Sequence, residues 1–160
     1  MSTPRQYLVG AIITALAIPV AVAGCSTQPS DDEVTSSMSD AIVSQVPHVR
    51  GVLVDLGQDG TSRVVIVRLF LDDAQQSTLT TVVEKVVGIA WRSTPTDPSS
   101  VIVSAVDGPK PGGATTSDVG GIDLTATASA LGFTEPAVDL SRLSVGESEL
   151  VAHYGPWSSK

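Results

Sequence analysis

Asparagine is absent from the 160 residues, so the chain offers no N-glycosylation sequon. Cysteine occurs once, at Cys25. A single cysteine closes no intramolecular disulfide, and no Cys/His cluster has the spacing of a zinc site. Basic residues are few and scattered: Arg50, Arg63, Arg68, Lys85, Arg92, Lys110, Arg142 and Lys160 beyond the first segment. Nucleic-acid binding driven by counterion release needs such residues clustered, so that partner class is excluded. The formal net charge is −8, which also disfavours broad docking on anionic headgroups. Aromatics make up only 4% of the chain. Its core must be built from Val, Leu, Ile and Ala, each worth about 1.5–3 kcal/mol when buried, and stability will be modest.

Signatures of catalysis are missing too. The chain has no G-x-S-x-G elbow, P-loop, H-E-x-x-H pair or dinucleotide fingerprint. Of its two histidines, His48 follows Pro47 at the mouth of a strand and His153 lies in "VAHYGPW". Both read as surface or capping residues. Asp72-Asp73 and Asp31-Asp32-Glu33 are adjacent acids at helix starts, where capping explains them better than a metal does. No cofactor, metal or catalytic residue is assigned, and the chain reads as a non-enzyme.

What the sequence does hold begins at its N-terminus. Residues 1–6 are polar and carry Arg5, and Tyr7 to Ala23 is almost wholly apolar. This is the layout of a secretory signal. The apolar run is near the lower limit for crossing a bilayer, so a retained transmembrane helix is the competing reading. Val22-Ala23-Gly24-Cys25 separates the two. An aliphatic residue, two small residues and a cysteine resemble the lipobox of bacterial lipoproteins. The resemblance implies a diacylglyceryl group on the Cys25 thiol and signal-peptidase recognition of Val22, Ala23 and Gly24. Cleavage of 1–24 would then leave Cys25 as the first mature residue. Two acyl chains hold a protein on a membrane where one would dissociate. Residues 25–30 follow as a polar tether.

The mature chain reads as a small α+β domain. Ser30 with Glu33 forms a capping-box pattern, and Val34, Met38, Ala41 and Ile42 share a stripe, predicting a helix over 31–46. Strands are expected at Val49–Leu56 and Arg63–Leu71, joined through Asp59-Gly60. "RVVIVRLFL" is apolar on both faces except for Arg68, as in a central strand. Leu79, Val82, Val83, Val86, Val87 and Ala90 recur at helical spacing, so a second helix begins at Asp72-Asp73. A third strand covers 101–106. Residues 107–121 are a Gly/Pro-rich loop, 122–133 a short third helix, and 148–153 an additional strand.

Residues 31–106 thus form an α-β-β-α-β core, with a three- to four-stranded mixed sheet and two or three helices. Residues 122–160 form a C-terminal extension that packs on the core or stays partly disordered. In element order the core resembles the BON domain of bacterial envelope proteins, a family associated with phospholipid or envelope binding. With both helices on one sheet face, Val64, Ile66 and Phe70 form an apolar second face. It would be covered by 122–152, by a partner or by a lipid. The aromatics of "HYGPW" read as a clasp on the domain or as a docking motif. The functional expectation is a lipid-anchored, extracytoplasmic binding or accessory module with a protein partner in the envelope. The alternative is a carrier or sensor of a small apolar or lipid ligand.

Overall fold

The computed structural model describes residues 28–118, 120–133, 137–139 and 141–158. The lipobox residues Val22 to Cys25 lie outside these.

Helix α1 spans Asp31–Gln45. The Ser30 hydroxyl accepts from the Glu33 amide at 3.3 Å, and the Glu33 carboxylate accepts from the Ser30 amide at 2.8 Å. This reciprocal pair satisfies two amides that the first turn leaves free. The bond to the Ser30 backbone is also the main reason the Glu33 carboxyl sits below its ordinary range. Only Val34, Met38 and Ile42 of α1 are buried, so one narrow stripe holds the helix down.

Strands β1 (Val49–Asp59) and β2 (Ser62–Leu71) form an antiparallel hairpin, closed by the two residues between Asp59 and Ser62. Gly60 takes φ 63 at the first of these positions, where a residue with a side chain would be strained. A bulge interrupts β1 between Val49 and Gly51. Helix α2 (Gln76–Ser93) crosses over to β3 (Pro98–Asp107), which pairs parallel with β2. The helix starts three residues beyond Asp73. Asp73 instead accepts from the Gln75 amide and the Thr78 hydroxyl, organising the turn that leads into it.

The remainder adds α3 (Thr125–Ala130), β4 (Ala137–Asp139), β5 (Arg142–Gly146) and α4 (Glu147–Tyr154). The sheet order is β1-β2-β3-β5-β4, with four main strands and β4 a three-residue edge piece. The α+β class and α-β-β-α-β order stand as expected. The strand expected at 148–153 is instead the helix α4, and the strand precedes it. Glu147 and Glu149 lie in the first turn of α4, where the helix dipole favours them, and Leu150 is its buried anchor.

One face of the sheet carries Val52, Val65, Val67, Leu69, Leu71, Val101, Val103, Ala105, Leu143 and Val145. These residues form one cluster with Met38 and Ile42 of α1, the valines of α2, Ala128 of α3 and Leu150 of α4. All the helices therefore share a single core against one sheet face. Trp91, 1% exposed, is the largest side chain within it.

Because α1 is held by three apolar side chains, each matters. Met38→Ala is expected to lower unfolding free energy by about 2–5 kcal/mol, read from the midpoint of denaturant unfolding.

Candidate functional site

Ser37, Ala41 and Gln45 lie one helical turn apart on α1 and stay short or polar, so α2 is not packed tightly against that face. A groove of about 710 Å³ runs between the two helices. Its other wall is Glu84, Lys85, Gly88, Ile89, Arg92 and Ser93 of α2, and Tyr154 closes one side. The groove offers charges of both signs beside two aliphatic side chains, Ala41 and Ile89. Neither histidine lines it.

Tyr154 reaches the groove because α4 ends against α2. Its ring lies 3.1 Å from where a Cβ on Gly88 would stand, so glycine is what lets ring and helix meet. Its hydroxyl donates to the Glu84 carbonyl at 2.9 Å. Arg92 sits 6.0 Å over the ring and donates to the Tyr154 carbonyl. The Trp91 indole N–H donates to the Gly155 carbonyl at 3.1 Å. Trp157 packs partly buried on the core. The "HYGPW" segment is therefore a clasp. Burial, and then the nearby Glu84 charge, push the Tyr154 phenol up to about 12, against a smaller opposing pull from Arg92.

His48 and His153 lie in separate settings. His48 is exposed, holds φ 66 beside the β1 bulge, and places Nδ1 3.1 Å from an Asp72 carboxylate oxygen. Arg50 pairs with the other oxygen. Burial tends to raise the Asp72 carboxyl, but hydrogen bonds from His48 and Arg50 outweigh it and leave Asp72 below its ordinary range. His153 is exposed and meets the Phe133 ring edge-on at 4.7 Å. Among the described residues, no group of three or more His, Cys, Asp or Glu is arranged to hold a metal ion. No helix among them is long and apolar enough to cross a membrane.

The second sheet face needs correction. Val64 is 7% exposed and Phe70 1%, and Ile66 is half-buried, so this is not an open apolar surface. Among the described residues, those of loop 107–121 rather than those of 122–152 cross it. Lys110 lays its stem over Gly51, the register partner of Phe70, and donates to the Val52 carbonyl at 3.3 Å. Arg68 and Arg142 reach up to carbonyls of the same loop. At the far end Gly121 approaches β3 so closely that a Cβ would stand 2.7 Å from the Ala105 carbonyl oxygen. Sequence reasoning missed this arrangement. Its one visible sign was Arg68, the lone charge within an apolar strand.

Two titrations test these contacts. Tyr154 favours folding in its neutral form, so its contribution is full below about pH 10 and is lost as pH rises through about 12. In alkaline difference spectra Tyr154 should ionise near the upper value. Tyr154→Phe should remove that phase and cost about 1 kcal/mol at neutral pH. Asp72 behaves oppositely. Its contribution is present above the ordinary carboxylate range and is lost as pH falls through its lowered folded value. Asp72→Asn should be less stable than the wild type at neutral pH and match it in strong acid, measured by denaturant unfolding across pH.

Comparison with protein-family models, curated proteins and solved structures finds no match to this chain.

Proposed function

We propose that the chain is a lipid-anchored cell-envelope protein whose folded domain is a non-catalytic binding or accessory module on the extracytoplasmic face of a membrane. The observation that carries this reading is Val22-Ala23-Gly24-Cys25, placed at the end of an apolar run and before a polar tether. A thiol there has no disulfide partner and no metal-ligand neighbours in sequence. Acylation is the chemistry its surroundings suit.

The start of the fold supports the same reading. Ser30 caps α1 five residues after Cys25, a tether that spans at most about 18 Å. An anchor on Cys25 would hold the start of α1 near the bilayer. Arg63 donates to the Asp31 carboxylate at 2.6 Å, tying the start of β2, and so the hairpin turn at Gly60, to the same pole. The α1–α2 groove would lie along the flank of the domain, open to a neighbouring envelope protein. Support for a non-catalytic role comes from the histidines: one pairs with an exposed carboxylate and the other meets the Phe133 ring edge-on.

The test is metabolic labelling with an alkyne fatty acid, followed by fractionation. Wild type should carry the label and sediment with membranes. Cys25→Ala should lose the label entirely and leave an uncleaved precursor. Equal labelling of the two would overturn the anchor.

A further inference from the structure

Arg68 projects from the middle of β2 onto the second sheet face, where its strand neighbours are Ile66 and Phe70. Register places Leu53 beside it on β1, and Ser104 and then Arg142 beyond it on β3 and β5. Arg68 is only 6% exposed and Ser104 only 3%. A cation so placed requires a counter-charge or a complete set of acceptors. It has neither. Nη1 donates to the Asp118 carbonyl at 2.6 Å and Nη2 to the Gly120 carbonyl at 3.2 Å. The Nε–H is buried with no hydrogen-bond partner among the described residues. Among the described residues no carboxylate forms an ion pair with it. Arg142 likewise donates to the carbonyls of Thr116 and Ser117, at 3.4 and 3.2 Å.

We infer that this arginine row is a phosphate-binding site, and that Thr116, Ser117, Asp118 and Gly120 form a strap filling it with their own carbonyl oxygens. Four carbonyls stand where phosphate oxygens would stand, yet they bring only partial charge and leave Arg68 Nε unmet. A phosphate oxyanion supplies full charge and forked acceptance, which guanidinium groups bind more strongly than carbonyls. The strap is built to leave. None of the described residues in 107–121 is buried, so releasing those residues exposes little apolar surface of their own. Its hold is polar: the two arginines, Lys110 on Val52, and the Thr116 hydroxyl 3.4 Å from Asp55. Asp118 keeps the turn closed by accepting from the Thr115 amide and hydroxyl, at 2.9 and 2.8 Å. Among the described side chains, Asp55 and Asp118 are the carboxylates that oppose an anion here. Strap release carries Asp118 away.

The phosphate could be free or the headgroup of an acidic lipid. Half-buried Leu53, Ile66 and Ile102 on the same face suit an attached alkyl chain. The inference rests on reading the domain as a binding module, and not on the anchor at Cys25.

The experiment uses the full chain and its Cys25→Ala form in non-ionic detergent, so that loss of anchoring and loss of binding are read separately. The probes are inorganic phosphate, phosphatidic acid in mixed micelles, and diacylglycerol with the same chains. The readouts are titrated affinity and amide hydrogen exchange across 112–121. Phosphatidic acid should accelerate exchange in that segment, and diacylglycerol should not. A response to inorganic phosphate as well marks a site for the oxyanion alone; a response to phosphatidic acid only marks a headgroup with its chain. Arg68→Met should abolish both responses. Lys110→Gln removes a cation but frees the strap, so it should bind roughly fivefold tighter, because apparent affinity rises with the competent fraction. General electrostatic attraction predicts weaker binding for that variant. The inference is overturned by unchanged exchange with both phosphate probes, by an equal response to diacylglycerol, by binding that survives Arg68→Met, or by weaker binding of Lys110→Gln.

Discussion

Strand β2 is apolar on both faces, and the rest of the fold is arranged to keep water off it. Val65, Val67, Leu69 and Leu71 look toward the helices, and Val64, Ile66 and Phe70 look away from them. A sheet with two apolar faces needs two covers. With aromatics at 4% of the chain, the helical cover has to come from many aliphatic contacts: the valines of α2, the stripe of α1, and single anchors from α3 and α4. The chain has no further helix among its described residues for the opposite side. There the cover is a loop, and because none of its described residues is buried, hydrogen bonds hold it. Arg68, Arg142 and Lys110 provide them. The two covers therefore differ in kind. One is held by packing, which is dense and cooperative. The other is held by a few donors reaching for carbonyls, which can be exchanged for better acceptors.

The packed half was the legible half. The Ser30–Glu33 capping box, the valine spacing of α2 and the Asp59-Gly60 turn are local patterns, and each gave its element within a few residues. The start of α2 was placed too early because Asp72 and Asp73 resemble a cap. Asp72 is instead engaged by His48 and Arg50, and Asp73 by the turn ahead of the helix. The C-terminal extension was harder to read. Strand β5 has five residues and α4 has eight, too few for periodicity to separate strand from helix. Residues 107–121 were legible as a loop by composition, but nothing in composition says where a loop lies. Its docking depends on guanidinium groups meeting backbone carbonyls, and backbone carbonyls carry no sequence signature.

The two functional regions stand on different supports. The groove between α1 and α2 is fixed by Tyr154, whose ring needs Gly88 beneath it and whose hydroxyl is tied to Glu84. It is a preformed surface with few moving parts. The arginine row is the reverse, a site whose occupant is already part of the chain. A module carrying both could engage a neighbour at its flank while the opposite sheet face responds to a small anion.

The bulge between Val49 and Gly51 bears on how such molecules tolerate crowding. β1 is an edge strand of eleven residues, long enough to template pairing with a second copy. The bulge breaks the strand's regular spacing at one end, and Arg50 and Asp55 place exposed charges along it. An irregular, charged rim of this kind opposes the pairing of β1 with a second copy into a shared sheet.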